Sequence, residues 1–126
     1  VQRLGRPGAY IVEAAALTTG SAQRWLMGLL GLDADDAAAL QALADEAAAV
    51  PAGSHGLLWL PHFKGAGTPH WDPAARGALH RLSLSSTRGE LARALLEAIA
   101  IELRQGLDLI EPLVRCRAGR CMCRAA

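Results

Sequence analysis

Aromatic residues make up only 4% of this 126-residue chain, while 52% of it is hydrophobic. Much of that apolar content is alanine, so it comes in small pieces that suit packed helices better than the β-branched and aromatic faces of sheets. A helix-rich chain follows. Excess charge is also missing: thirteen basic and twelve acidic residues leave a formal net charge of +1. That balance gives no electrostatic footprint for nucleic acid or an anionic membrane, and neither is expected as a partner. No stretch approaches the roughly 18 uncharged apolar residues of a membrane span. The opening Val1-Gln2-Arg3-Leu4-Gly5-Arg6-Pro7 has no apolar segment behind its basic residues, so a cytoplasmic protein is expected. Val1 in place of an initiator methionine points to a processed, trimmed or partial reading of a longer product. Cysteine is confined to Cys116, Cys121 and Cys123 in the last eleven residues, an odd number in a tail and not a disulfide framework. The length bounds the chain to one domain or less.

The pattern along the chain alternates helical and turn signals. Tyr10, Ile11 and Val12 carry the β-branched weight of a short strand leading to a turn at Thr18-Thr19-Gly20. Ala22, Trp25, Leu26, Leu29 and Leu30 recur at helical spacing, which makes Trp25 a core anchor of a helix that Gly28 and Gly31 weaken toward its end. A second helix is expected from the carboxylates at Asp33-Ala34-Asp35-Asp36 to Val50, before Pro51. Leu57-Leu58-Trp59-Leu60 reads as a buried strand stopped by Pro61, and residues 64–77, with three glycines and two prolines, as a long loop of the kind that carries function. Thr87-Arg88-Gly89-Glu90 has the spacing of a capping box. It opens the strongest helix, whose row Leu91, Leu95, Ile99, Leu103 and Leu107 must pack on something substantial before Pro112 closes it. Beyond Pro112 the basic, cysteine-bearing stretch has no period. The chain thus divides into residues 1–112 and an irregular tail at 113–126.

Few groups carry chemistry on spacing alone. The common phosphate loops and the nucleophile elbow are absent, and no catalytic residue is assigned. His55, His62, His70 and His80 match no helical ligand pair, and Cys116-x4-Cys121-x-Cys123 lacks the usual zinc spacing, so no metal site is expected. Thr19-Gly20-Ser21 before a helix is either an ordinary helix start or a place where unpaired backbone N–H groups meet a phosphate. Gly65 to Asp72 is either a substrate or interdomain loop with Asp72 as acceptor, or a turn-rich connection capped by Asp72. Glu97, on the alanine-rich flank of the long helix, is either a partly buried carboxylate that needs a partner or a solvent-facing one paired with Arg93 or Arg104.

Taken in order, three motifs resemble the C-terminal domain of the FGGY carbohydrate kinases, the family of glycerol kinases and xylulokinases. They are Thr19-Gly20-Ser21-Ala22-Gln23-Arg24-Trp25-Leu26, Gly56-Leu57-Leu58-Trp59-Leu60-Pro61 leading to Gly67-Thr68-Pro69-His70-Trp71-Asp72-Pro73-Ala74-Ala75-Arg76-Gly77, and Glu90-Leu91-Ala92-Arg93-Ala94-Leu95-Leu96-Glu97. The resemblance implies an α/β chain, a helix-rich fragment of a ribonuclease-H-like, actin-like ATPase domain, with ATP and Mg2+ bound in a cleft between two lobes. It places Gly20 near the nucleotide phosphates and Arg24 in reach of nucleotide. It makes Trp25, Pro61, Thr68, Pro69, Asp72, Arg76, Gly77, Arg93 and Glu97 family-signature positions with structural roles.

Departures accompany it. Many members have a Glu-Arg pair at Ala66-Gly67, a glycine at Arg81 and a glycine at Ala98. The family's catalytic aspartate, sugar-binding lobe and glycine-rich adenine segment have no counterpart in these residues. The expected function is therefore a fragment of an ATP-dependent sugar or polyol kinase, inactive alone, with the sugar or polyol as substrate only if the missing lobe is supplied. A noncatalytic partner-binding helical module and a nonfunctional remnant are the alternatives.

Overall fold

The computed structural model describes residues 2–3 and 10–114. Two short strands, β1 (Gln2–Arg3) and β2 (Tyr10–Ile11), pair antiparallel with Gln2 opposite Ile11. An extended segment then leads into helix α1 (Gly20–Leu29), which stops where Gly31 takes the left-handed conformation at φ 72°. Helix α2 (Ala37–Ala49) follows, then a 3-10 turn (Ser54–Gly56), strand β3 (Leu58–Leu60), strand β4 (Ala78–His80) and the 27-residue helix α3 (Arg88–Val114). β3 and β4 pair antiparallel with Trp59 opposite Leu79.

The three helices enclose a small, alanine-rich core. Ala22, Leu26 and Met27 from α1 meet Leu43 and Ala47 from α2 and Ala92 and Leu95 from α3. Alanine at the contacts lets helix backbones approach closely, and Leu26, Met27 and Leu95 fill what remains. Trp59 seals the core from the strand side and donates its indole N–H to the Leu91 carbonyl at 3.0 Å, so the half-buried ring leaves no orphan donor.

The helix boundaries follow local chemistry. In α3 the capping box is formed: the Glu90 N–H donates to Thr87 Oγ1 at 3.2 Å and the Thr87 N–H to Glu90 Oε2 at 2.7 Å. α2 starts later than Asp33, because Asp36 is the residue whose carboxylate accepts an N–H, from Ala38 at 2.8 Å. Asp33 instead closes the preceding turn by accepting the Asp35 N–H at 2.9 Å.

Four expectations are corrected. Pro112 lies inside α3 and does not close it, because its missing N–H removes only one bond in the last turn. Trp25 is 46% exposed, since the smaller Ala22, Leu26 and Met27 take the core face of α1. Leu58 and Leu60 are exposed and only Leu57 is buried, because the hairpin β3–β4 is covered on one side only. The row along α3 is packed at Leu91, Leu95 and Ile99, whereas Leu103 and Leu107 are exposed at 47% and 39%. β4 was not expected at all: Ala78-Leu79-His80 is too short to show a period. Cys116, Cys121 and Cys123 lie outside the described residues.

The 64–77 loop is ordered by backbone bonds. The Ala66 N–H donates to Asp72 O at 2.8 Å, and the Thr68 N–H donates to Ala15 O at 3.0 Å while the Ala15 N–H returns to Thr68 Oγ1 at 3.0 Å. Thr68-Pro69 is a cis peptide bond. Gly67 sits so close to the segment before α1 that a Cβ there would lie 2.0 Å from Ala15 O. A Cβ on Gly28 in α1 would meet nothing within 4 Å. Gly67→Ala is therefore expected to destabilise the fold by about 3 kcal/mol or more, and Gly28→Ala to stabilise it by about 0.5–1 kcal/mol. Urea unfolding midpoints of the two variants check the pair.

Candidate functional site

An open hollow of about 250 Å³ lies at the N-terminal end of α1, lined by Thr18, Ser21, Ala22, Trp25, Phe63 and Lys64. Its floor is set by Thr18, which is buried and donates its hydroxyl to the Pro61 carbonyl at 2.6 Å. That bond ties the entry of α1 to the end of β3 and so brings Phe63 and Lys64 to the helix start. Its wall is aromatic: Trp25 and Phe63 have ring centroids 4.9 Å apart, and Trp59 stands behind both at 6.0 and 5.8 Å.

The helix end is electrostatically open. The N–H groups of Ala22 and Gln23 both turn to Thr19 O, at 3.1 and 3.4 Å, and the Thr19 side chain makes no cap. The first-turn amides of Gly20 and Ser21 have no intrahelical acceptor, and the helix dipole adds partial positive charge there. Gly20 has ordinary helical φ, and a Cβ built on it would meet nothing within 4 Å. Among the described residues neither backbone strain nor packing calls for glycine at position 20. With the Lys64 ammonium on the rim and no carboxylate in the lining, the hollow suits an anion whose remaining part is flat or apolar. The residues present fit the phosphates of a nucleotide. Among the described residues no group of three or more His, Cys, Asp or Glu could hold a metal ion.

The other expected site residues are dispersed. Arg24 faces away from the hollow and pairs with Asp35 at 2.8 Å, both side chains exposed. Pro61 is buried behind Thr18, and Thr68 and Pro69 belong to the loop clasp. Asp72 caps its own turn by accepting the Ala74 N–H at 2.8 Å, the role that the turn-cap reading of that loop gives it. Arg76 folds back onto the Pro73 and Ala75 carbonyls at 2.9 and 2.8 Å, and Gly77 lies against Leu60 O and the Phe63 ring. Thr18, Phe63 and Lys64 were not singled out from the sequence. Their signal was the aromatic residue two positions past a strand-ending proline.

Glu97 is partly buried and fully engaged. It accepts the Gly53 N–H on both oxygens at 3.1 Å, the Ser54 hydroxyl at 3.4 Å and the Arg93 Nε–H at 2.6 Å. The solvent-facing reading is thereby replaced, although its partner Arg93 is retained. Burial pushes the Glu97 carboxyl up, but the Arg93 and Gly53 hydrogen bonds outweigh it and hold the group below the usual carboxylate range.

Comparisons with known proteins bear on the whole chain. The family model for the C-terminal domain of the FGGY family of carbohydrate kinases matches residues 3–116. A glycerol kinase of Gloeobacter violaceus is 44% identical over 103 residues, covering 80% of this chain and 19% of its own length. A xylulose kinase structure from Rhodospirillum rubrum superposes with a TM-score of 0.67 at 43% identity, over 82% of this chain and 20% of that one. A gluconate kinase structure from Lactobacillus acidophilus does so at 0.61 and 33% identity, over 76% and 18%. The chain spans about a fifth of the length of the curated relatives it matches.

Because Glu97 is more acidic folded than unfolded, its contribution is complete above the ordinary glutamate pKa of about 4.3 and is lost as pH falls through the lower folded value. Glu97→Gln is expected to cost about 2 kcal/mol at pH 7. The difference from the parent chain should shrink steadily below pH 4.5. Denaturant unfolding of both chains between pH 3 and 7 gives that difference directly.

Proposed function

The chain belongs to the FGGY family of carbohydrate kinases as part of their C-terminal domain, and on that premise we propose that it forms part of the nucleotide side of an ATP-dependent sugar or polyol kinase. The hollow at the start of α1 carries the proposal: uncapped first-turn amides, a glycine that none of the described residues requires, a lysine and an aromatic wall converge there.

When bound, Mg-ATP supplies the γ-phosphoryl group for transfer to an alcohol oxygen. The amides of Gly20 and Ser21 would receive phosphate oxygens, and their fixed direction costs no reorganisation. Lys64 would offset phosphate charge, while Trp25 and Phe63 exclude water from one side. Arg24 can reach a nucleotide only by leaving Asp35, an exposed pair of small energetic value. The described residues of the hollow offer no carboxylate to take the proton of the attacking hydroxyl. The base and the groups that select the sugar are therefore assigned to the rest of the kinase, and these residues alone are expected not to turn over.

A noncatalytic, partner-covered module is the second reading, favoured by the exposed apolar side chains Ile101, Leu103, Leu107, Leu109 and Leu113 on α3. Nucleotide response separates the two. Magnesium-ADP is expected to raise the midpoint of thermal unfolding by several degrees, since a ligand at a hundredfold its Kd adds about 2.7 kcal/mol. Lys64→Ala should reduce the shift, and Gly20→Val should abolish it while leaving the unliganded transition cooperative. An unshifted parent chain sinks the nucleotide reading and leaves the second one.

A further inference from the structure

We propose that a second, polar hollow, between the Gly53–Gly56 turn and the 81–86 loop, binds a small anion of the phosphate class. It measures about 110 Å³ and is lined by Ser54, His55, Leu57, Arg81, Ser83, Ser85, Ser86 and Glu90, sharing no residue with the hollow at α1. At ~30 Å³ per water it holds the equivalent of three or four waters. A single tetrahedral oxyanion fits that space; a nucleotide does not.

Backbone conformation singles out the place. Among the described residues, four that are not glycine have positive φ: Ser54 at 46°, His55 at 51°, Trp71 at 48° and Arg81 at 65°. Three of the four line this hollow. The left-handed region is unfavourable for residues with a Cβ, and such residues persist where the surroundings over-determine them, which is most often at binding sites. Here the surroundings are visible. Gly53 and Gly56 flank the turn at φ 85° and 88°, and Glu97 holds the Gly53 amide from behind.

The hollow holds uncommitted donors. Arg81, turned back at the end of β4, lays its guanidinium over Gly56, where a Cβ would come within 3.3 Å of Cζ. Among the described residues that guanidinium has no hydrogen-bond or ion-pair partner, so its N–H fork is available. The three serines form a hydroxyl cluster, with Ser83 Oγ 2.8 Å from Ser85 Oγ and 3.4 Å from Ser86 Oγ. Those two contacts use at most two of three hydroxyl protons, and the Ser83 and Ser85 N–H groups fall on hydroxyl oxygens at 3.1 and 3.3 Å. At least one O–H is left to turn to a ligand. The Glu90 carboxylate is already committed, Oε1 to His55 Nδ1 at 2.7 Å and Oε2 to the Thr87 N–H at 2.7 Å. A guanidinium beside rotatable hydroxyls is the donor set for a tetrahedral oxyanion.

The test is an amide-resolved NMR titration of the 126-residue chain with inorganic phosphate at constant ionic strength, alongside methyl phosphate and acetate. Saturable shifts are expected at the amides of His55, Arg81, Ser83, Ser85 and Ser86. Arg81→Gly, which suits φ 65°, and Arg81→Gln should each weaken binding at least tenfold with the remaining spectrum unchanged. Methyl phosphate matching phosphate assigns a monoester group as ligand, and phosphate alone assigns the free ion; either supports the site. Shifts confined to Gly20, Ser21 and Lys64, no shifts in the parent chain, acetate binding as tightly as phosphate, or an unchanged titration in either folded variant would overturn it. Because the two hollows are read separately, failure here leaves the nucleotide proposal standing, and the reverse holds.

Discussion

The Glu97 carboxylate does in this chain what a disulfide or metal does in other small domains: it ties a turn to an element far away in sequence, here the Gly53 amide to α3. The four consecutive residues Gly53 to Gly56 all have positive φ, two of them with side chains. Such a run is unfavourable unless its free amide is bound, and Glu97 binds it with both oxygens while Arg93 steadies the carboxylate from one helical turn before. From that turn the chain enters β3 in the direction that sets Trp59 over the core and delivers Pro61 to Thr18. The hollow at α1 and the polar hollow at Arg81 both precede Glu97 in sequence, yet in space they share its support through the Gly53–Gly56 turn.

The stability of the molecule is distributed unevenly along α3. Its first half buries Ala92, Ala94, Leu95 and Ala98 against α2 and β3, whereas Ile101, Leu103, Leu107, Leu109 and Leu113 remain in contact with solvent. Burial of an aliphatic side chain is worth about 1.5–3 kcal/mol, so the second half of α3 contributes little of the driving force that holds the first. Gly106 adds to the asymmetry: a Cβ there would come within 2.8 Å of Ala14 Cβ, which shows the helix backbone pressed close to the segment entering α1 but without a large side chain to fill the contact.

Local signals were legible in the sequence and tertiary ones were not. The capping box Thr87 to Glu90, the helix around Leu26 and the strand at Tyr10–Ile11 depend on neighbours within a few residues, and each is present. Trp25 failed as a core anchor because a period of 3.6 assigns a stripe, not which members of it are covered; Ala22, Leu26 and Met27 occupy the seam and Trp25 its edge. The apolar run at Leu57 to Leu60 looked buried because hydrophobicity does not report whether a second layer exists to cover a hairpin. Arg81 stands in a left-handed conformation where the family pattern has glycine, and only the backbone shows why glycine suits that position.

Gly20 and Gly67 make the same point about sites. Both lie in stretches that resemble the family, Gly20 at a position that matches its pattern and Gly67 at one where many members have arginine. Gly67 is required by the chain itself, because any Cβ would collide with the Ala15 carbonyl. Gly20 is required by none of the described residues: it has space around it, ordinary φ and a place at the first turn of a helix where alanine would be the better residue. At the start of α1 the amides are uncapped and a lysine stands on the rim, so the anionic ligand proposed for that hollow would approach closely at position 20.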